Sequence, residues 1–114
     1  MPKLILCLCT CPDKKNAQSI AKILLEKKLA ACVNIIPGIM SMYRWQGKIQ
    51  QDDEVLLLIK TRAINYSPLE KTIIQHHPYD VPEVLSFNIE TGFADYLRWV
   101  EKNSDQHGEL PCDT

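Results

Sequence analysis

The sequence has few glycines, almost no net charge and no long apolar run, and each shortage excludes a class of protein. Its four glycines, at positions 38, 47, 92 and 108, are too scattered to form a loop that cradles phosphate. The 13 basic residues are balanced by 14 acidic ones, so no basic excess is left for binding nucleic acid. No apolar stretch approaches the length of a membrane span. The remaining class is a soluble globular protein, predicted as a single domain over residues 1–114.

The cysteines favour a reducing environment. There are five, at positions 7, 9, 11, 32 and 112, and the first three are clustered on one predicted strand. An odd count with this clustering does not suit a disulfide framework. The apolar run at residues 4–9 is too short for the core of a signal peptide. We therefore expect a cytoplasmic protein.

Residues 31–62 predict two long strands that fold back on each other at Gln46-Gly47. A two-residue loop with glycine second suits a primed hairpin turn. A bulge at Pro37-Gly38 or at Asp52-Asp53 would shift the pairs on its far side by one residue. Without one, counting back from the turn gives three predicted cross-strand pairs: Trp45 with Lys48, Tyr43 with Gln50, and Ile35 with Leu58.

The distal part of this hairpin is predicted to project from the body of the domain. Residues 39–45 alone span roughly 23 Å at about 3.3 Å per residue, whereas a domain of this size has a radius of gyration of about 13 Å. Tyr43 and Trp45 lie on one face of their strand because side chains alternate with a period of two. Two aromatic side chains are poorly placed on a projecting hairpin of a monomer, so we expect this hairpin to dock on another subunit.

The other segments predict two more strands and three helices. They are a strand at residues 3–10, a helix capped by Asp13 and running to about residue 29, a helix capped by Ser67 and ending before Pro78, a strand at residues 83–89, and a helix at residues 92–102. The polar tail, residues 103–114, is predicted to be flexible.

This order of elements, β-α-β-β-α-β, is that of a ferredoxin-like α+β sandwich with a short C-terminal helix. Right-handed crossovers place the first two helices on the same face of the sheet. The strands are nevertheless apolar on both sides, as in the run at residues 55–59. We therefore expect another subunit to cover the second face of the sheet.

Two adjacent histidines, His76 and His77, are candidate metal ligands. On a helix they point about 100° apart and cannot chelate as two residues spaced by four do. At a frayed helix end before Pro78 their rings can converge, but a third ligand is then needed. Without a metal, His76 is expected at the edge of the core, and His77 as a residue that the helix C-terminus favours.

Three cysteines, Cys7, Cys9 and Cys11, share one face of the first strand. Thiolates and imidazoles together suit copper or zinc. Buried cysteine is also a common small apolar residue, and this is the preferred interpretation for Cys7. Cys9 and Cys11 lie at the C-terminal end of the strand and are more open to a ligand. A nucleophilic Cys9 with His76 as its base lacks a recognisable local signature.

Several segments together resemble the CutA family of divalent-cation tolerance proteins. The resemblance runs in order from about residue 4 to residue 102 and leaves out the tail. It is carried by residues 9–13 (CTCPD), 29–38 (LAACVNIIPG), 43–49 (YRWQGKI), 54–61 (EVLLLIKT), 76–83 (HHPYDVPE) and 96–99 (YLRW).

The resemblance implies a non-catalytic homotrimer whose long hairpins interlock, with Tyr43 and Trp45 at the trimer interface. It also implies a role in tolerance to copper and other divalent cations. The metal ligands that it implies are Cys9, His76, His77 and Glu83, although Glu83 by itself also suits a plain surface carboxylate.

Three other functions compete with this interpretation. Trimeric ferredoxin-like subunits also resemble the PII signalling proteins, which bind nucleotides between subunits, but no phosphate loop or basic cluster supports that function. An acylphosphatase would need an arginine in the loop after the first strand. The only basic residues among residues 10–16 are lysines. A heavy-metal-associated domain would have C-x-x-C in place of C-x-C.

Overall fold

The computed structural model describes residues 3–106. Within them the chain forms four strands, three α-helices and one short 3-10 turn. The strands are β1 (Leu4–Cys11), β2 (Cys32–Trp45), β3 (Lys48–Arg62) and β4 (Val84–Asn88); the helices are α1 (Lys14–Glu26), α2 (Tyr66–His76) and α3 (Ala94–Asn103), and the 3-10 turn is Ala63–Asn65.

The four strands form one antiparallel sheet in the order β2-β3-β1-β4, which confirms the predicted ferredoxin-like α+β fold. One face of the sheet is covered by α1 and α2. The core lies between them: it joins odd-numbered residues of β1 and β3 to apolar residues of both helices. Its members include Ile5, Cys7, Cys9, Leu57, Ile59, Ala17, Ile20, Leu24, Leu69 and Ile73.

The hairpin turns where the sequence predicts. Gln46 and Gly47 have φ values of 51° and 78°, as a type I′ turn requires, and the pairs nearest the turn are those predicted. The register shifts by one between Ile36 and Ile39, so Ile35 pairs with Leu57 in place of Leu58. We call residues 39–54 the arm. The molecule measures 48 × 26 × 22 Å along its principal axes, as a projecting arm requires.

The helix ends were predicted with mixed success. The Asp13 carboxylate caps α1 by accepting a hydrogen bond from the Asn16 N–H at 2.8 Å, as expected. The predicted cap at Ser67 is wrong, because α2 begins at Tyr66 as a direct continuation of the 3-10 turn. The end of α2 before Pro78 is confirmed, since His77 already has an extended ψ of 137°.

The start of the predicted flexible tail is folded. Ser104 and Asp105 are fully buried, and the Asp105 carboxylate lies 3.3 Å from the Arg62 guanidinium. The buried Asn65 amide donates hydrogen bonds to the Ser104 carbonyl at 2.6 Å and to the Thr61 hydroxyl at 3.0 Å. These contacts fix the chain just after α3. Residues 107–114, including Cys112, lie outside the described residues.

The face of the sheet opposite α1 and α2 remains partly uncovered in the single chain. We call it the open face; it consists of Leu6, Leu8, Leu56, Leu58, Leu85 and Phe87. The β4 members are the most accessible, with Leu85 47% and Phe87 51% exposed. Continuous apolar side chains across three adjacent strands are unusual on a free surface.

Because the thiol of Cys7 is buried, the stability of the protein is expected to fall as the pH becomes alkaline. Burial raises the pKa of this thiol from 9.0 to about 11. The folded state therefore holds the proton more tightly than the unfolded chain. The contribution of the Cys7 thiol to the free energy of unfolding is complete below pH 9 and is lost as the pH rises towards 11. Urea unfolding should show that Cys7→Ala loses about 2 kcal/mol less than the wild type between pH 7.5 and 10.5.

A matched control is Ile59→Val, which removes a methyl group from the cross-strand neighbour of Cys7. It should lower stability by about 1 kcal/mol at both pH values, because it removes no titratable group. An equal cost of Cys7→Ala at the two pH values would contradict the prediction.

Candidate metal centre

A cluster of three buried side chains lies at the C-terminal end of β1. The ligand atoms of Cys9, Cys11 and His77 all lie within 4.8 Å of one another. Cys9 and Cys11 are on the same face of the strand because they are two residues apart. His77 comes from the first residue after α2, and all three side chains are buried.

The backbone around Pro78 directs His77 towards β1. A proline disfavours helical geometry in the residue before it, so the chain leaves α2 at His77 in an extended conformation. The His77 Nε2–H donates to the Thr10 carbonyl at 2.7 Å, and Nδ1 accepts from the Tyr79 N–H at 3.1 Å. Because Nδ1 is an acceptor, these hydrogen bonds place the ring proton on Nε2.

The two histidines therefore exchange the positions expected for them. His76, expected at the edge of the core, is exposed on the last turn of α2, whereas His77 is buried and has both ring nitrogens hydrogen-bonded. His76, the base considered for Cys9, is exposed and lies outside the cluster, and the Nδ1 lone pair of His77 is already used by the Tyr79 N–H. This geometry gives no support to a nucleophilic cysteine.

The two thiols of the cluster influence each other's ionisation. The hydrogen bond to Cys11 raises the pKa of Cys9, and burial and the negative charges of Glu83 and Glu54 raise it further. The same hydrogen bond, received from Cys9, lowers the pKa of Cys11. The pair therefore gives up a first proton more readily than a second.

The cluster fits a soft or borderline metal ion by the nature of its donors. Two sulfurs and one imidazole nitrogen are ligands that copper and zinc prefer. Metal–ligand bonds of about 2.0 to 2.3 Å place neighbouring ligand atoms about 3.5 to 4 Å apart, so a cluster that spans up to 4.8 Å has to contract. Binding also requires thiol deprotonation and the loss of one His77 hydrogen bond.

Only part of the ligand set that the family resemblance implies comes together in one chain. Cys9 and His77 are in the cluster, whereas His76 and Glu83 are exposed outside it. Cys11 is in the cluster although it was not among the ligands that the resemblance implies. The signal for Cys11 was present in the C-x-C spacing, which puts both thiols on one face.

A groove lies on the other side of Thr10, between the arm and residues 78–83. Its volume is about 780 Å³. Glu54 is buried at its wall and accepts a hydrogen bond from the Tyr79 hydroxyl at 2.8 Å. Burial and this bond raise the pKa of Tyr79. The lining residues are Thr10, Met40, Ser41, Met42, Tyr43, Trp45, Glu54, Pro78, Tyr79, Asp80, Val81 and Glu83.

Comparison with known proteins gives the chain its family. The family model described as CutA1 divalent ion tolerance protein matches residues 5–103, which is most of the sequence. The chain belongs to the CutA1 family. The resemblance noted from the sequence is therefore confirmed. The family description names tolerance to divalent ions and does not name a reaction.

Individual CutA relatives agree with this assignment. The CutA homolog of Xenopus laevis is 53% identical over 91 residues, which are 80% of this chain but only 60% of that protein. The divalent-cation tolerance protein CutA of Thermus thermophilus is 45% identical over 97 residues, 85% of this chain and 94% of that one. A solved structure from Thermus thermophilus, 44% identical, superposes with a TM-score of 0.86 over 88% of this chain and 97% of its own.

The CutA1 fold here has no helix, within residues 3–106, that is long and apolar enough to cross a membrane.

The remaining predicted site residues, Tyr43 and Trp45, lie on the arm and line the groove. Both are more than 40% exposed, and the Tyr43 hydroxyl donates to the Asp52 carboxylate across the hairpin.

The hydrogen bonds of His77 predict a difference between the two histidines in stability. His77→Ala leaves the Thr10 carbonyl and the Tyr79 N–H without their partner, which should lower the free energy of unfolding by about 1 to 3 kcal/mol. His76→Ala, a matched change at an exposed neighbour, should alter it by less than about 0.5 kcal/mol. Urea unfolding at neutral pH measures both, and equal losses would contradict this structural role of His77.

Proposed function

We propose that this CutA1 family member is a non-catalytic homotrimer that binds copper or another divalent metal ion and acts in tolerance to such ions. The observation that carries the proposal is the convergence of Cys9, Cys11 and His77. It places two sulfurs and an imidazole together in a family described by divalent ion tolerance.

The ligand set of the proposal has an inner and an outer part. The inner ligands are Cys9, Cys11 and His77 of one chain. His76 and Glu83 are exposed, so they would join as outer ligands when a neighbouring subunit or a local movement brings them to the ion. An oxygen ligand such as Glu83 would extend the range of metals from soft to harder ions.

The open face supports the proposed trimer, because its exposed apolar side chains would be buried against another subunit. Its leucines and Phe87 form an apolar surface of the kind that soluble proteins bury against another subunit. The arm extends this surface. Because of the register shift after Ile36, Tyr43 and Trp45 pair with even-numbered residues of β3 and lie on the same side of the sheet as Leu56.

The proposal includes a cytoplasmic location. Within residues 3–106 the four cysteines are all free thiols. Thiols that serve as metal ligands must stay reduced, which suits a reducing compartment.

The alternative of a PII-like nucleotide sensor has less support. A nucleotide needs groups that bind phosphate, and none of the described residues lining the groove is lysine, arginine or histidine. Carboxylates in the groove would repel a phosphate.

Metal titration tests the inner ligands. With fully reduced protein, Cys9→Ser and Cys11→Ser should each weaken copper binding by at least about tenfold, because each removes one thiolate ligand. Competition with a chromophoric copper chelator measures the affinity, and zinc in a parallel titration measures selectivity. Cys32→Ser is the control and should bind as the wild type does. Unchanged affinity in both cluster variants would refute the site, and His76→Ala tests the outer ligand in the same assay.

Sedimentation tests the trimer. The wild type should remain trimeric at nanomolar concentration, and the pair Tyr43→Ala with Trp45→Ala should weaken assembly by several kcal/mol through lost aromatic burial, on the order of 25 cal/mol per Å². The matched pair Met40→Ala with Met42→Ala changes the opposite side of the same arm and should leave assembly nearly intact. A folded wild-type monomer, or equal effects of the two pairs, would contradict this interface.

A further inference from the structure

The bond between His77 and the Tyr79 backbone is incompatible with metal ligation by the neutral His77 ring. A neutral imidazole has one protonated nitrogen and one lone pair, and a metal ion takes the lone pair. The Tyr79 N–H donates to His77 Nδ1 at 3.1 Å and so uses that lone pair. A metal on Nδ1 would displace this donor, and a metal on Nε2 would leave a proton on Nδ1, facing it. Ligation through either nitrogen therefore breaks the bond to Tyr79.

The Tyr79 side chain fixes this segment to the rest of the chain. Its hydroxyl donates to the Glu54 carboxylate at 2.8 Å, and its ring lies against that of His77, with the ring centroids 4.7 Å apart. Glu54 is buried and belongs to β3. Hydrogen bonds to an ionised acceptor are stronger than those between neutral groups. The Tyr79–Glu54 hydrogen bond therefore holds the Tyr79 backbone where it occupies the His77 ring.

We propose that the Tyr79–Glu54 hydrogen bond regulates the metal site by keeping His77 in its non-ligating state. This regulation rests on the proposed function, because it requires a metal ion to bind at the cluster of Cys9, Cys11 and His77. The Tyr79 N–H has to leave Nδ1 when the metal binds, and this movement competes with the bond to Glu54. The bond therefore lowers metal affinity, and by reciprocity a bound metal weakens the bond.

The regulation uses only contacts within one chain. The groups involved lie on β1, on β3 and on the segment that follows α2. Neither an empty groove nor an exposed side chain is needed, so a neighbouring subunit that covers the arm leaves these contacts in place. Tyr79 is a positioning residue, because it acts on the metal through His77.

Removal of the Tyr79 hydroxyl tests the proposal. Tyr79→Phe keeps the ring beside His77 but cannot bond to Glu54, so it should bind copper(I) at least about fivefold more tightly than the wild type does. Competition with a chromophoric chelator, on the reduced native assembly, measures the affinity. Urea unfolding without metal should show the same variant to be less stable than the wild type. A residue that only supports the fold would lower both quantities, so unchanged or weaker copper binding overturns the proposal.

Tyr66→Phe is the matched control. The Tyr66 hydroxyl also donates to a glutamate, Glu70, at 2.7 Å, but this pair lies within α2, and the His77 ring nitrogens bond to other residues. The copper(I) affinity of this variant should differ from that of the wild type by less than about twofold. Equal gains in Tyr66→Phe and Tyr79→Phe overturn the proposal, because they indicate a general loosening of the fold.

Amide resonances of the wild type distinguish the failure of this regulation from the failure of the metal site. On saturation with copper(I), which is diamagnetic, the Tyr79 amide proton should shift upfield and exchange faster with solvent, because its bond to Nδ1 is lost. Copper(I) binding that requires Cys9 and Cys11 but leaves the Tyr79 amide unchanged overturns the regulation and leaves the metal site standing. If neither copper(I) nor zinc(II) binds saturably to the wild type or to Tyr79→Phe, the metal site is refuted and the regulation with it.

Discussion

The one-residue register shift between Ile36 and Ile39 is the constraint on which the surfaces of this molecule depend. Side chains alternate along a strand, so one extra residue transfers every later side chain of β2 to the other face. Without the shift, Tyr43 and Trp45 would lie on the side of α1 and α2. With it, they continue the open face and form a wall of the groove, so that the proposed interface includes this wall.

The same alternation gives the end of β1 two different environments. Cys9 and Cys11 face the helices and form a dry cluster with His77, while Thr10 between them faces the acidic groove. The Thr10 carbonyl links the two sides because it accepts the His77 hydrogen bond. A change in this hydrogen bond therefore acts directly on the strand that borders the groove.

The two environments differ in their polar groups. Buried sulfur and imidazole favour soft or borderline metals, and a metal would bind there only after protons leave and hydrogen bonds rearrange. The groove presents carboxylate oxygens, and the Tyr79 hydroxyl positions that of Glu54.

The sequence by itself determined the features that depend on neighbouring residues: the Gln46-Gly47 turn, the Asp13 cap, the end of α2 before Pro78 and, through the order of elements, the ferredoxin-like fold. Tertiary structure decided the rest. The start of α2 follows the buried Asn65, whose partners Thr61 and Ser104 are brought to it by folding. His77 points inward because the Thr10 carbonyl of β1 accepts a hydrogen bond from its ring. Such contacts join residues as far as 67 positions apart, and no local pattern of the sequence encodes them.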